Sequence, residues 1–65
     1  MKIEKKLKDV LILVSEGKSN KEIALALNFS ESYAKQLVIK LFRIYNVRNR
    51  VQLANEYNAE KMVNI

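Results

Sequence analysis

The chain has 65 residues, 12 Lys+Arg against 7 Asp+Glu, a net charge of +5, one Gly, and no Pro, Cys or His. A chain this short makes one small domain that hides only about 60% of the surface its unfolded form exposes, and with no Cys it has neither disulfides nor thiolate metal sites to reinforce it. The longest apolar run, Val10 to Val14, is far below the roughly 20 residues that cross a bilayer, and the lack of His and Cys, with Asp9 as the only Asp, argues against an enzyme.

Ile3, Leu7, Val10, Leu11 and Val14 recur with a helical period, with Lys5, Lys6, Lys8 and Asp9 on the other side. The spacing predicts a first helix over 3 to 16, with Ile12 off the stripe and exposed. A basic amphipathic helix can lie on an anionic membrane, but Asp9 and Glu16 weaken the basic face and the stripe is as wide as a helical core requires. Gly17 stands where a left-handed helix cap is wanted.

Ser19 and Glu22 have the Ser-x-x-Glu spacing of a capping box, in which each side chain satisfies the other residue's orphan amide. A second helix is predicted over 20 to 27, carrying Ile23, Ala24 and Leu27 inward and stopping at Asn28, which tolerates the left-handed conformation. Phe29 is apolar and Ser30 is an N-cap. Ala34, Leu37, Val38, Leu41 and Tyr45 then carry one apolar stripe through a third helix over 31 to 45. So short a link forces a steep crossing, for which Ala24 is small enough. Ile23, Leu27 and Phe29 face Ala34 and Leu37, while Ser32, Lys35, Gln36, Ile39, Lys40 and Arg43 point outward. This is the pattern of a helix-turn-helix whose second member supplies a reading surface.

Asn46 suits a left-handed cap, Val47 anchors the turn, and Asn49 with Gln52 forms another capping pair. A fourth helix is expected over 49 to 60, with Val51, Leu53, Ala54 and Tyr57 as its apolar positions. Residues 61 to 65 form a frayed tail in which Met62, Val63 and Ile65 extend a partner-binding surface. The expected core is Leu7, Val10, Leu11, Val14, Ile23, Ala24, Leu27, Phe29, Ala34, Val38, Leu41, Val47 and Ala54. Glu22 is read as a capping residue and an ion-pair partner for Arg50, and Tyr33, Tyr45 and Tyr57 as mainly structural. With no linker, repeat or low-complexity tract, residues 1 to 65 read as a single all-α domain, and the initiating Met favours a complete protein. Charge placement points to a polyanion: between Ser32 and Asn55 lie Lys35, Lys40, Arg43, Arg48 and Arg50, with no acidic residue among them.

Val10-Leu11, Glu16-Gly17, Ser19-Asn20-Lys21-Glu22-Ile23-Ala24, Ser30-Glu31 and Val47-Arg48-Asn49-Arg50, in that order and spacing, carry a resemblance to a known family. From about Ile3 to Tyr57 the chain resembles the four-helix DNA-binding domain of LuxR/FixJ-type (GerE-like) bacterial transcription regulators. The resemblance implies a third helix in the major groove of double-stranded DNA and a fourth helix forming a two-fold dimer contact. Ser32, Lys35, Gln36 and Ile39 are then base-reading residues. Lys35 suits a guanine edge or a phosphate, Gln36 can bind adenine in a bidentate fashion, and Ile39 can meet a thymine methyl. Asn20, Lys21, Tyr33, Lys40, Arg43 and Arg48 are expected to bind phosphates, and Val51, Asn55, Asn58 and Met62 to form the dimer interface.

The chain departs from the family's usual pattern at Leu7, Tyr33, Ala34, Leu37 and Ile44, where Glu, Thr, Val, His and Lys are common. Ile44, with Ile12 and Ile39, puts apolar groups on a surface expected to be polar. The functional expectation is a cytoplasmic, nucleoid-associated, homodimeric transcription regulator, with RNA polymerase or a larger regulator as further partners. No membrane, cofactor, metal or small-molecule ligand is expected. The alternative is a helix-turn-helix interaction module that pairs with or inhibits a larger regulator through its fourth helix. A sigma-factor-like reading is disfavoured by the Val47-Arg48-Asn49-Arg50 turn and the helix after it.

Overall fold

Capping chemistry sets the ends of the helices. In the computed structural model, which describes residues 3 to 63, the elements are α1 (Lys5–Ser15), α2 (Asn20–Leu27), α3 (Glu31–Tyr45) and α4 (Arg50–Val63). Each of the first three helices ends on a residue with positive φ: Gly17 at 85°, Asn28 at 60° and Asn46 at 54°. After α1, the Lys18 amide donates to the Leu13 carbonyl and the Gly17 amide to Val14, both at 3.0 Å. After α3, Val47 donates to Phe42 at 2.9 Å and Asn46 to Arg43 at 3.2 Å. These paired bonds close the otherwise unsatisfied carbonyls of a helix end.

Helix starts are equally local. Ser19 Oγ accepts from the Glu22 amide at 3.1 Å while Glu22 Oε1 accepts from the Ser19 amide at 2.8 Å, completing the capping box of α2. Ser30 Oγ caps α3 through the Tyr33 amide at 3.1 Å. Before α4, Asn49 Oδ1 accepts from the Gln52 amide at 2.9 Å as expected. Gln52 Oε1, however, accepts from the amide of Arg48 rather than Asn49, at 2.8 Å. The reach-back therefore extends one residue further and ties the turn as well as the helix start.

α1 packs against α4 and α3, and α2 packs mainly on α3. The buried core comprises Leu7, Val10, Leu11, Val14, Ile23, Ala24, Ala34, Leu37, Val38, Leu41, Leu53 and Tyr57. Four residues expected in it, Leu27, Phe29, Val47 and Ala54, are half-buried at its margin instead. Leu53 and Tyr57 take the places on α4 that had been given to Ala54, because they face α1 and α3 while Val51 turns to solvent at 70% exposure. Leu37 joins the core directly, which accounts for an apolar residue at this position.

Ile12 and Ile44 are half-buried and packed against this core, so neither is the free apolar surface group expected of it. α1 starts two residues later than expected, at Lys5, and α4 continues past residue 60 to Val63. The frayed tail is thus corrected as far as Val63, and Asn64 and Ile65 lie outside the described residues, as does the Val63 side chain.

Candidate nucleic-acid interface

The candidate surface is built on α3, a 15-residue helix about 22 Å long at 1.5 Å per residue. Its inner face is anchored by Ala34, Leu37, Val38 and Leu41, all buried. The same periodicity turns Ser32, Lys35, Gln36, Ile39, Lys40 and Arg43 outward, and each of them is exposed. Ile39, the one apolar residue of the row, is 40% exposed. No acidic side chain falls among these residues; Glu31 lies in the first turn, where the helix dipole favours a negative charge.

A groove runs along one flank of α3, lined by Tyr33, Gln36, Ile39, Lys40 and Arg43 together with Lys6 from α1. Tyr33 is half-buried. Its ring meets Phe29 edge-on, with centroids 4.9 Å apart at 84°, and Lys6 Nζ lies over the same ring, 5.6 Å from its centroid. The Tyr33 side chain, and to a lesser extent Glu4, hold the Lys6 ammonium above its ordinary pKa. Glu4 approaches Lys6 at 3.8 Å and Lys40 at 3.9 Å. Sequence reasoning assigned Lys6 only to the polar side of α1 and gave Glu4 no role, because helical periodicity says nothing of which second helix a side chain meets.

At the start of α2, Lys21 is exposed and Asn20 half-buried. The Asn20 side chain is already engaged: its Oδ1 accepts from Arg50 Nη2, while Arg50 Nη1 donates to the Lys18 carbonyl at 3.0 Å. The ion pair anticipated between Glu22 and Arg50 is therefore replaced by bonds from Arg50 to neutral oxygens. Arg50 is a structural lash between α4 and the α1–α2 turn, and an anion at the α2 terminus would meet the backbone amide of Asn20 and the Lys21 ammonium. Glu22 serves the capping box, and its bonds to the Ser19 amide and hydroxyl hold its carboxyl below the ordinary value. Arg48 is exposed in the turn before α4.

On α4, Val51, Asn55, Asn58 and Met62 are all exposed, Val51 at 70% and Met62 at 71%. Their spacing places them along one helix face. Among the described residues no three His, Cys, Asp or Glu side chains gather to hold a metal ion, and no helix is long and apolar enough to cross a membrane.

In comparison with known proteins, the family model GerE, described as bacterial regulatory proteins, luxR family, matches residues 5–57. No curated protein and no solved structure matches the chain.

Proposed function

This chain belongs to the luxR family of bacterial regulatory proteins, and from that premise we propose that it regulates transcription by binding a short, roughly symmetric duplex site as a homodimer, with α3 in the major groove. The observation that carries the reading is the outward row of α3, cationic and polar, on a helix whose opposite face is locked in the core. A helix with its side chains is about 10–12 Å across and the major groove about 12 Å wide, so α3 fits with its outer row against base edges. Lys35 suits guanine, Gln36 adenine, and Ile39 a thymine methyl, with Ser32 able to donate or accept. Lys21, Lys40, Arg43 and Arg48, the Tyr33 hydroxyl and the Asn20 backbone amide supply phosphate contacts that fix register.

The α4 stripe supports the dimer: Val51 and Met62 give apolar contact and Asn55 and Asn58 give hydrogen bonds, a set that can meet its own copy across a two-fold axis. The same exposed Val51 and Met62 also support pairing with the fourth helix of a larger regulator. Size-exclusion chromatography with and without candidate regulators separates the two, since only the second reading gives a specific partner without specific DNA. The test of DNA reading is selection from random-sequence duplexes, repeated with Lys35→Ala and Gln36→Ala. Selected sites should change at defined positions in each variant, by about 1–3 kcal/mol of base discrimination for a bidentate contact. Unchanged sites in both would end the assignment.

A further inference from the structure

Glu4 is the N-cap of α1, yet its side chain makes no capping hydrogen bond. Its Oε2 stands 3.8 Å from Lys6 Nζ on α1, and its Oε1 reaches across to 3.9 Å from Lys40 Nζ on α3. One carboxylate thus spans two ammonium groups carried by two different helices. We propose that Lys6 and Lys40 form a site for a DNA backbone phosphate beside the reading helix, and that the Glu4 carboxylate occupies this site in the free protein. The proposal rests on the duplex-binding reading above and adds to it a contact from α1, outside the helix-turn-helix pair, and an internal competitor.

The chemistry matches in kind. A phosphodiester presents two unesterified oxygens on one atom, as a carboxylate does, and both accept charge-assisted hydrogen bonds from ammonium groups. Lys6 is placed for the task, since its Nζ lies over the Tyr33 ring and that ring is braced against Phe29. Contact to a ring face holds a long cationic side chain near one position. The groove shared by Lys6, Lys40 and Arg43 runs beside Gln36 and Ile39, so a phosphate held there fixes how deeply α3 enters the duplex. The hold of Glu4 is weak enough to be exchanged: both pairs are long, and the side chains are 60% exposed at Glu4, 44% at Lys6 and 56% at Lys40. Exposed pairs of this kind contribute little. When the phosphate enters, Glu4 must swing away, and its charge remains as a nearby repulsion.

The experiment measures binding of a selected duplex by the intact chain across a salt series, for wild type, Glu4→Gln, Lys6→Ala, the double variant, and Glu16→Gln. The last removes the same charge from the other end of α1. Glu4→Gln should tighten binding about threefold at low salt, and Glu16→Gln by less than about 1.5-fold. Lys6→Ala should weaken binding about threefold and reduce the logarithmic salt slope by about 0.9, the loss of one phosphate contact. In the Lys6→Ala background the gain from Glu4→Gln should shrink. Equal gains from Glu4→Gln and Glu16→Gln, or an unchanged salt slope in Lys6→Ala, overturn the site. If wild type binds and Lys35→Ala alters the selected sequence while Lys6→Ala does nothing, this site alone falls; if wild type binds no duplex at all, it falls together with the duplex reading.

Discussion

Leu53 anchors α4 to the rest of this small fold, and Leu53→Ala measures that attachment. Leu53 is fully buried, and with Tyr57 it is the only α4 residue in the buried core among those described. Replacing Leu by Ala removes three carbons, about 2.4 kcal/mol at about 0.8 kcal/mol per buried methylene. The cavity left behind brings the loss into the range of about 2–5 kcal/mol. A 65-residue chain has a total stability of only about 3–10 kcal/mol at ordinary per-residue values, so this one change removes a large part of it. Leu25→Ala is the matched control, because Leu25 is 75% exposed and the same chemical change there should stay within about 0.5 kcal/mol. Urea unfolding followed by circular dichroism gives both values from the midpoints at constant slope. The functional correlate is loss of the proposed dimer, read by size exclusion, before α3 loses its helicity. A Leu53→Ala cost below about 1 kcal/mol, or equal costs at the two positions, would refute the reasoning.

Four further outcomes are expected. Ser19→Ala should cost about 1 kcal/mol through loss of the α2 cap; because Glu22 titrates below its ordinary value in the fold, the capping contribution is full above the unfolded carboxyl pKa and lost as pH falls through the folded one, so Glu22→Gln should flatten the acid limb of a stability profile. Burial, and then the neighbouring Glu60 carboxylate, push the Tyr45 phenol up to about 12, although its buried hydroxyl lies outside good hydrogen-bond geometry. Its contribution is therefore whole below the ordinary phenol pKa and disappears as pH rises through the folded value, and thermal melts of Tyr45→Phe should lose less stability than wild type in that window. Gly17→Ala should cost about 1–2 kcal/mol in urea unfolding through backbone strain alone, since φ is +85° and an added Cβ meets no atom within 4 Å.

What could be read from the chain was whatever is decided within one helical turn. Ser19 with Glu22, Ser30, Gly17, Asn28 and Asn46 act through neighbours at most a few residues away, and each does in the fold what its position suggested. The α3 row was legible for the same reason: the strong stripe of Ala34, Leu37, Val38 and Leu41 leaves its complement no alternative but to face outward. α4 was harder, because Val51, Leu53, Ala54 and Tyr57 spread round too much of the helix to define one face. Packing against α1 and α3 decides among them and leaves Val51 outside. The bonds from Arg50 to Asn20 and Lys18, and the ion pair of Glu4 with Lys40, join residues at least 30 positions apart. No local pattern encodes such pairs.

Gln36 and Leu37, like Lys40 and Leu41, are sequence neighbours of which one is exposed and the other sits in the core. The seat of α3 and its outer row are thus interleaved along the same rod. Any repacking beneath Leu37 or Leu41 that tilts or rotates this rod re-aims the side chains above it, so under the proposed duplex reading drift in the interior and drift in operator preference are mechanically linked. Transplanting the outer letters alone to another scaffold carries over their identity without their posture.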